Sequence, residues 1–403
     1  MLAVPTGEEG AAMLAGASPT LMLMQGRAPE SLPLASLPAT GALFSLARAY
    51  LGDSAIATLE PGPAIAVRVE RWFGSTFGPP LRIPIDTAPV SALVATMDYR
   101  SDVLLAWQQN GAIYAHMLRA SGRPEPTQRV GPSPPHPQLR ALVSDNDHGM
   151  IAWSSAEGSA PGSTSVRIAF SGAAVRFAGS RRIASYPDPQ GAGRAPGSLA
   201  LERLSTENVM LAWTDAEAGT YVVRAAPAVF AGTRPSARLS DPSSQSVLAA
   251  LAPGPAGEAV ALWRSSPQGS APDPARSELW AARTVIQRHG RVASRAAEMV
   301  AQAGIGAGAS VAVDPGGDRA VAAWVTAGLR PRVEYAVGPG ASGYRPRPAV
   351  GKATQAAGAA HSVRIALAAV AAAAVVVVTI LALRRRTRVR SVGAGGSGTR
   401  RRR

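Results

Sequence analysis

Apolar residues along this chain fall in short runs, and the runs recur in a fixed order. The most distinctive run ends in Ala-Trp or Leu-Trp: VLLAW at Trp107, MIAW at Trp153, VMLAW at Trp213, AVALW at Trp263 and AVAAW at Trp324. A degenerate copy, SAIATL, puts Thr58 in the same slot, and the anchor tryptophans lie 46 to 61 residues apart. Such a period is the signature of a repeat architecture. Upstream of each anchor sits a second apolar stretch: 41–46, 91–97, 139–144, 197–202, 246–252 and 309–313. A polar or glycine-bearing turn joins the two, as in 145–149 and 314–318, which is the pattern of a hairpin. Downstream comes an alternating stretch (64–70, 112–118, 165–170, 220–226, 278–283, 333–337), then a short final one such as LRIP, QRVG, RRIAS or ARLS. The unit therefore reads as four antiparallel strands. The anchor strand is almost continuously apolar, as expected of a strand covered on both faces.

A four-stranded sheet of this size cannot bury both faces by itself, whereas stacked copies cover one another. The fold expected is mainly β: a β-propeller of six complete blade-like repeats plus one partial repeat. Each anchor tryptophan closes an apolar run, so we read it as a plug between neighbouring blades rather than as part of a ligand-stacking ring. Residues 1–38 are expected to form the partial blade, with strands at 10–16, 20–26 and 32–37 and no first strand, and residues 39–350 the complete repeats. A tandem of β-sandwich modules is the alternative.

The unit length, strand order and Ala-Trp anchor resemble the broad β-propeller superfamily, including the sialidase-like and BNR-repeat propellers of bacterial surface proteins. The resemblance spans about residues 10–350. The Asp-box that marks sialidases is not met: Ser144-Asp145-Asn146-Asp147-His148-Gly149 precedes Trp153 at the wrong spacing. The resemblance implies a fold and leaves the activity open.

Residues 365–383, IALAAVAAAAVVVVTILAL, break the β pattern and carry no charge. As a helix they would span ~28 Å, close to the hydrocarbon thickness of a bilayer. Arg384, Arg385, Arg386, Arg388 and Arg390 follow at once. Dense arginine against an apolar end fits the positive-inside pattern and attracts anionic headgroups. A single-pass C-terminal transmembrane helix is therefore expected, preceded by a stalk (351–364) and followed by an arginine-rich cytoplasmic tail (384–403). The bulk of the chain would be extracellular, with lipid contact over residues 365–390. A buried helix of a soluble domain is the competing reading. Ala368/Ala372 and Ala369/Ala373 have the spacing of helix–helix contacts, as an alanine-rich composition also gives. The N-terminal stretch lacks the basic start of a signal peptide, so an upstream start or a tail-anchored, cytoplasmic arrangement are both open.

Composition changes little else. The net charge is +15, but ten of those charges are Arg364 and the nine arginines from Arg384 to Arg403, leaving +5 upstream. No basic stripe marks a nucleic-acid partner. Cysteine is absent, which removes disulfides and thiolate metal sites. One lysine against forty arginines reads as genomic bias.

No catalytic, cofactor-binding or metal-ligating residue can be assigned. His116, His136, His148, His289 and His361 have no partner at ligand spacing. The glycine-rich 304–310 stretch leads into a strand, so no helix N-terminus is there to cradle phosphate. Asp145/Asp147, Asp215/Glu217 and Asp314/Asp318 sit where acidic residues favour turns. The insertions Ser154–Ser163 and Ser265–Arg276 are expected on an exposed face. The function expected is a non-catalytic, membrane-anchored binding module for an extracellular protein or glycan. The alternative is a sialidase-like glycoside hydrolase, which would need two carboxyl groups, or a Tyr/Glu pair, beside an arginine cluster.

Overall fold

A computed structural model describes residues 2–346, apart from short stretches in turns and linkers, the longest being 34–43, 71–78 and 268–275; for residues 2–33 it describes the backbone only. The stalk (351–364), the apolar segment (365–383) and the arginine tail (384–403) lie outside the described residues. Among those described, no helix is long and apolar enough to cross a membrane.

The chain is mainly β. Among the described residues seven antiparallel sheets follow one another, each a meander of strands in sequence order. Sheet I comprises Leu2–Thr6, Gly10–Ala15, Thr20–Gln25 and Ala28–Pro33. Sheet II runs from Phe44–Arg48 to Leu81–Pro84, sheet III from Ala92–Met97 to Gln128–Pro132, and sheet IV from Gln138–Val143 to Phe177–Pro187. Sheet V begins at Leu199–Arg203, sheet VI at Ser244–Pro253 and sheet VII at Ile305–Val313. The first strand of each sheet lies beside the first strand of the next.

Sheet I departs from the sequence expectation. Its first strand is Leu2–Thr6, where none was expected, and its fourth is Ala28–Pro33 rather than 32–37. Pro5 hides the first strand from a pattern reading. It is tolerated because Leu2–Thr6 pairs on one side only, with Gly10–Ala15. Sheets V and VI depart in another way. Their fourth strands are each split in two, Gly232–Thr233 with Ala237–Arg238, and Val292–Ser294 with Glu298–Ala301.

The core lies between the sheets. Every residue of Val103–Gln109 is buried. Alternation sends Val103, Leu105 and Trp107 into the layer between sheets II and III, while Leu104 and Ala106 enter the layer between III and IV. The same division holds at each anchor. Trp153 packs between sheets III and IV, Trp213 between IV and V, Trp263 between V and VI, and Trp324 between VI and VII. Each tryptophan thus faces the preceding sheet and fills the space that the many alanines leave open. In sheets III and V a two-residue hairpin fixes register at the end of the anchor strand. In sheet III the turn is Asn110-Gly111, both at positive φ, which matches the twist of a two-residue hairpin.

Candidate functional site

In each sheet the first strand begins, the second ends and the third begins at one end, here termed the linker end. Polar side chains gather there. The residue after each anchor tryptophan points to the opposite face from the tryptophan, towards the following sheet. Gln108 Nε2 donates to the carbonyl of Ser133 in the next linker at 3.1 Å, while its Oε1 accepts from the Ser91 hydroxyl. Ser154 Oγ donates to the carbonyl of Gly193 at 2.8 Å. Thr214 Oγ1 accepts from the backbone N–H of Leu248, in the first strand of sheet VI, at 3.0 Å. Three successive junctions are thus stapled by a buried polar group whose partner lies in the next unit. Arg264 occupies the same slot in sheet VI and has no hydrogen-bond or ion-pair partner among the described residues.

The densest cluster lies at the junction of sheets IV and V. Asp188 is fully buried. Its Oδ1 accepts from the Tyr221 hydroxyl at 2.8 Å, and its Oδ2 from Thr164 Oγ1 at 2.7 Å and the Gly193 N–H at 3.1 Å. Arg194 Nε stands 3.7 Å away, an ion pair beyond hydrogen-bond distance. Tyr186 donates to the carbonyl of Thr214. A Cβ at Gly193 would overlap the Tyr186 hydroxyl, so only glycine fits there. Burial, with the hydrogen bond to Asp188 behind it, pushes the Tyr221 hydroxyl up to about 12, and burial raises Tyr186 well above its ordinary value. Both phenols therefore stay protonated. Beside them, burial raises the Asp215 carboxyl although Arg224 lies 3.2 Å away. Arg224 also reaches Glu217, which pairs with Arg238 at 3.0 Å. This constellation contains a tyrosine–carboxylate pair with an arginine nearby. Its carboxylate is sealed by the hydroxyls of Tyr221 and Thr164 and the N–H of Gly193, while Nε of Arg194 stays without a hydrogen bond; the cluster is a tie between the 188–195 linker and two sheets.

A second charged pair sits on neighbouring first strands, Arg140 in Gln138–Val143 and Glu202 in Leu199–Arg203. Burial pushes the Glu202 carboxyl up to about 7 against the opposing pull of Arg140, and burial likewise lowers the Arg140 guanidinium. Both side chains nevertheless keep partial solvent contact.

The histidines do not converge. His116 lies buried in Ala112–Leu118 with Nδ1 3.1 Å from Thr127 Oγ1, and burial lowers its pKa, so it is neutral at pH 7. His136 is exposed, with its N–H donating to Ser91 Oγ at 2.7 Å. The N–H of His148 donates to Ser144 Oγ at 3.2 Å. His289 is exposed in a turn, and His361 lies outside the described residues. Among the described residues no group of three or more His, Cys, Asp or Glu could hold a metal. Asp145, Asp147, Asp314 and Asp318 lie outside them, as do 158–161 and 268–275 of the two insertions. The flanks Ser154–Ala156 and Ser265–Pro267 belong to strands instead of loops. The 304–310 stretch enters the strand Ile305–Val313. Asp188 and Arg264 escaped the sequence reading: one lies between two prolines outside any strand pattern, the other among forty arginines.

No family model matches the chain, and no curated protein does. Solved structures similar to it include one from a study of two prolyl endopeptidases, with 13% identity and a TM-score of 0.47 over 83% of this chain. The chain spans 46% of the length of that peptidase. A protein from Lactobacillus plantarum matches with 12% identity and a TM-score of 0.43, over 81% of this chain and 94% of its own. The Aleuria aurantia lectin matches with 9% identity and a TM-score of 0.39, over 78% and 97%. None of these likenesses assigns an activity to this chain.

Proposed function

We propose that the seven sheets are the blades of a β-propeller that acts as a non-catalytic binding module on the cell surface, tethered by residues 365–383. The observation that carries this reading is the succession of side-by-side first strands, each junction from sheet II to sheet VII plugged by one anchor tryptophan. Radial stacking of blades gives such an arrangement. The 365–383 segment spans the bilayer, residues 351–364 form the stalk, and the arginine tail 384–403 stays in the cytoplasm against anionic lipid. The partner is an extracellular protein or glycan, met by the loops of the linker end. A hydrolase of sialidase type is the weaker reading. The tyrosine–carboxylate pair it would use, Tyr221 and Asp188, is buried and consumed by internal hydrogen bonds.

The tether is tested by alkaline extraction of membranes from cells expressing the full chain. The expected result is that the chain stays with the lipid and that deletion of 365–403 releases it. Protease added outside intact cells should remove the sheets and spare the tail. A full-length chain released by alkali would refute the tether, and the same fluorescently labelled chain failing to bind any intact cell would refute the binding module.

A further inference from the structure

We infer that Arg264 anchors an oxyanion-binding site at the junction of sheets VI and VII, which takes a carboxylate or sulfate group of an acidic ligand. The inference rests on the binding-module reading and names the chemistry of its ligand. Its basis is a comparison that the repeat itself supplies. At three junctions the residue following the anchor tryptophan is uncharged, and it is hydrogen-bonded to the next unit: Gln108 to Ser133, Ser154 to Gly193, Thr214 to Leu248. At the fourth the slot holds a guanidinium, and the staple is missing among the described residues.

Alternation along the second strand and pairing with the third set the side on which Arg264 stands. In Glu258–Pro267, Trp263 enters the layer between sheets V and VI, while Leu262 enters the layer between VI and VII. Arg264 shares the side of Leu262, and its partner on the third strand, Leu279, belongs to that same layer; its partner on the first strand, Val247, packs instead with Ala192 and Tyr221, next to the bulge between Leu248 and Ala250. The guanidinium therefore lies over the sheet VI side of that junction, where Val300 and Ile305 close the apolar floor. Ser266, two residues further along the strand, adds a hydroxyl to the same side.

A half-buried guanidinium has five donors in a planar fork and no acceptor. Here Nε is shut off from solvent and has no acceptor. Burial lowers the pKa of Arg264, and among the described residues no carboxylate offsets it. Arg119, Arg283 and Arg224 are matched, by Asp102 at 2.8 Å, Glu258 at 2.6 Å and Asp215, whereas Nε of Arg194 shares the state of Arg264 Nε but keeps Asp188 at 3.7 Å. A cation held at an apolar junction with no counter-charge among the described residues is costly to the fold. A planar or tetrahedral oxyanion arriving from the linker end would satisfy it by a two-pronged contact.

The test uses the full chain in non-ionic detergent, with sodium sulfate and sodium acetate as probes at constant ionic strength balanced by chloride. Unfolding is followed by tryptophan fluorescence on heating. We expect a saturable rise in the midpoint for the wild type with at least one probe, and about tenfold weaker binding or more in R264Q. R264K, which keeps the charge and loses the fork, should fall between them and serves as the reading if R264Q does not fold. A preference for sulfate or acetate identifies which group is taken. Equal, unsaturating slopes in the wild type and the variants would overturn the site. If R264Q chain binds intact cells as well as the wild type does, the site is overturned while the binding module stands. If neither chain binds any cell but sulfate still saturates the wild type alone, the module reading falls and the site remains.

Discussion

Replacing Trp153 by alanine tests whether the anchor tryptophans hold the sheets together. The side chain is completely buried, set among Leu104, Ile113, Met117 and Leu139 between sheets III and IV. Its Nε1–H donates to the carbonyl of Pro132 at 3.3 Å, so it ties the end of sheet III to sheet IV. Contact is close on the far side too, since a Cβ on Gly131 would come within 3.1 Å of the indole ring. The layer around it is rich in alanine and strand backbone, which cannot collapse into the vacated space. Truncation of a fully buried tryptophan then costs ~3–5 kcal/mol. The lost hydrogen bond adds little, because Pro132 is exposed and water can replace the indole. Phenylalanine at 153 keeps most of the volume and should cost ~1–2 kcal/mol. Trp280 is the internal control: it is partly buried, with Nε1 donating to Glu278 at 2.9 Å, and W280A should cost under ~1.5 kcal/mol. Urea unfolding of the full chain in detergent, followed by circular dichroism, reads the difference. With a slope of ~3 kcal/mol/M, W153A should lower the midpoint by over ~1 M and W280A by under ~0.5 M. Equal shifts for the two variants would show that the anchors do not organise the core.

Asp188→Ala strands the Tyr221 hydroxyl, the Thr164 hydroxyl and the Gly193 N–H at once, and should cost ~3–5 kcal/mol by the same unfolding assay, while Asp188→Asn, which keeps one acceptor, should cost less. A loss below ~1 kcal/mol in D188A would remove Asp188 from its role as a tie. Glu202 gives a pH signature. Its carboxyl is raised from 4.5 to about 7 in the fold, so between those values the native state holds the proton that the unfolded chain releases. Its contribution to stability is complete below about 4.5 and is lost as the pH rises through 7. Urea midpoints measured from pH 4.5 to 8 should therefore carry a falling component that E202Q flattens, and parallel profiles for the two chains would refute the assignment.

The sequence announced the strands whose surroundings are apolar on both sides, because burial writes itself as continuous runs such as VLLAW and VMLAW. It was silent where a strand is held by its neighbour rather than by its own pattern. Leu2–Thr6 is short and contains Pro5, and only its pairing with Gly10–Ala15 makes it a strand. The split fourth strands of sheets V and VI likewise carry too few residues for a period to show. The candidate site was less legible than the fold. Asp188 joins Thr164, Gly193 and Tyr221 across as many as 33 positions of chain. No local motif encodes a partner that far away. Arg264 could have been found by aligning the residues that follow each anchor tryptophan, where Gln108, Ser154, Thr214 and Arg264 stand in register and one differs in charge.

Under the proposed tether, the outer margins of the sheets bear on life in a crowded layer. Molecules fixed to one plane meet edge to edge far more often than molecules in bulk water, and an uninterrupted outer strand invites a neighbour to extend it. Five of the seven margins, Ala28–Pro33, Leu81–Pro84, Gln128–Pro132, Phe177–Pro187 and Arg345–Pro346, end in proline, and the longest displays Arg181 and Arg182 to solvent. Two others are broken into fragments of two to four residues. Copies packed side by side would find little continuous backbone to zip onto, so density alone should not fuse them into fibres.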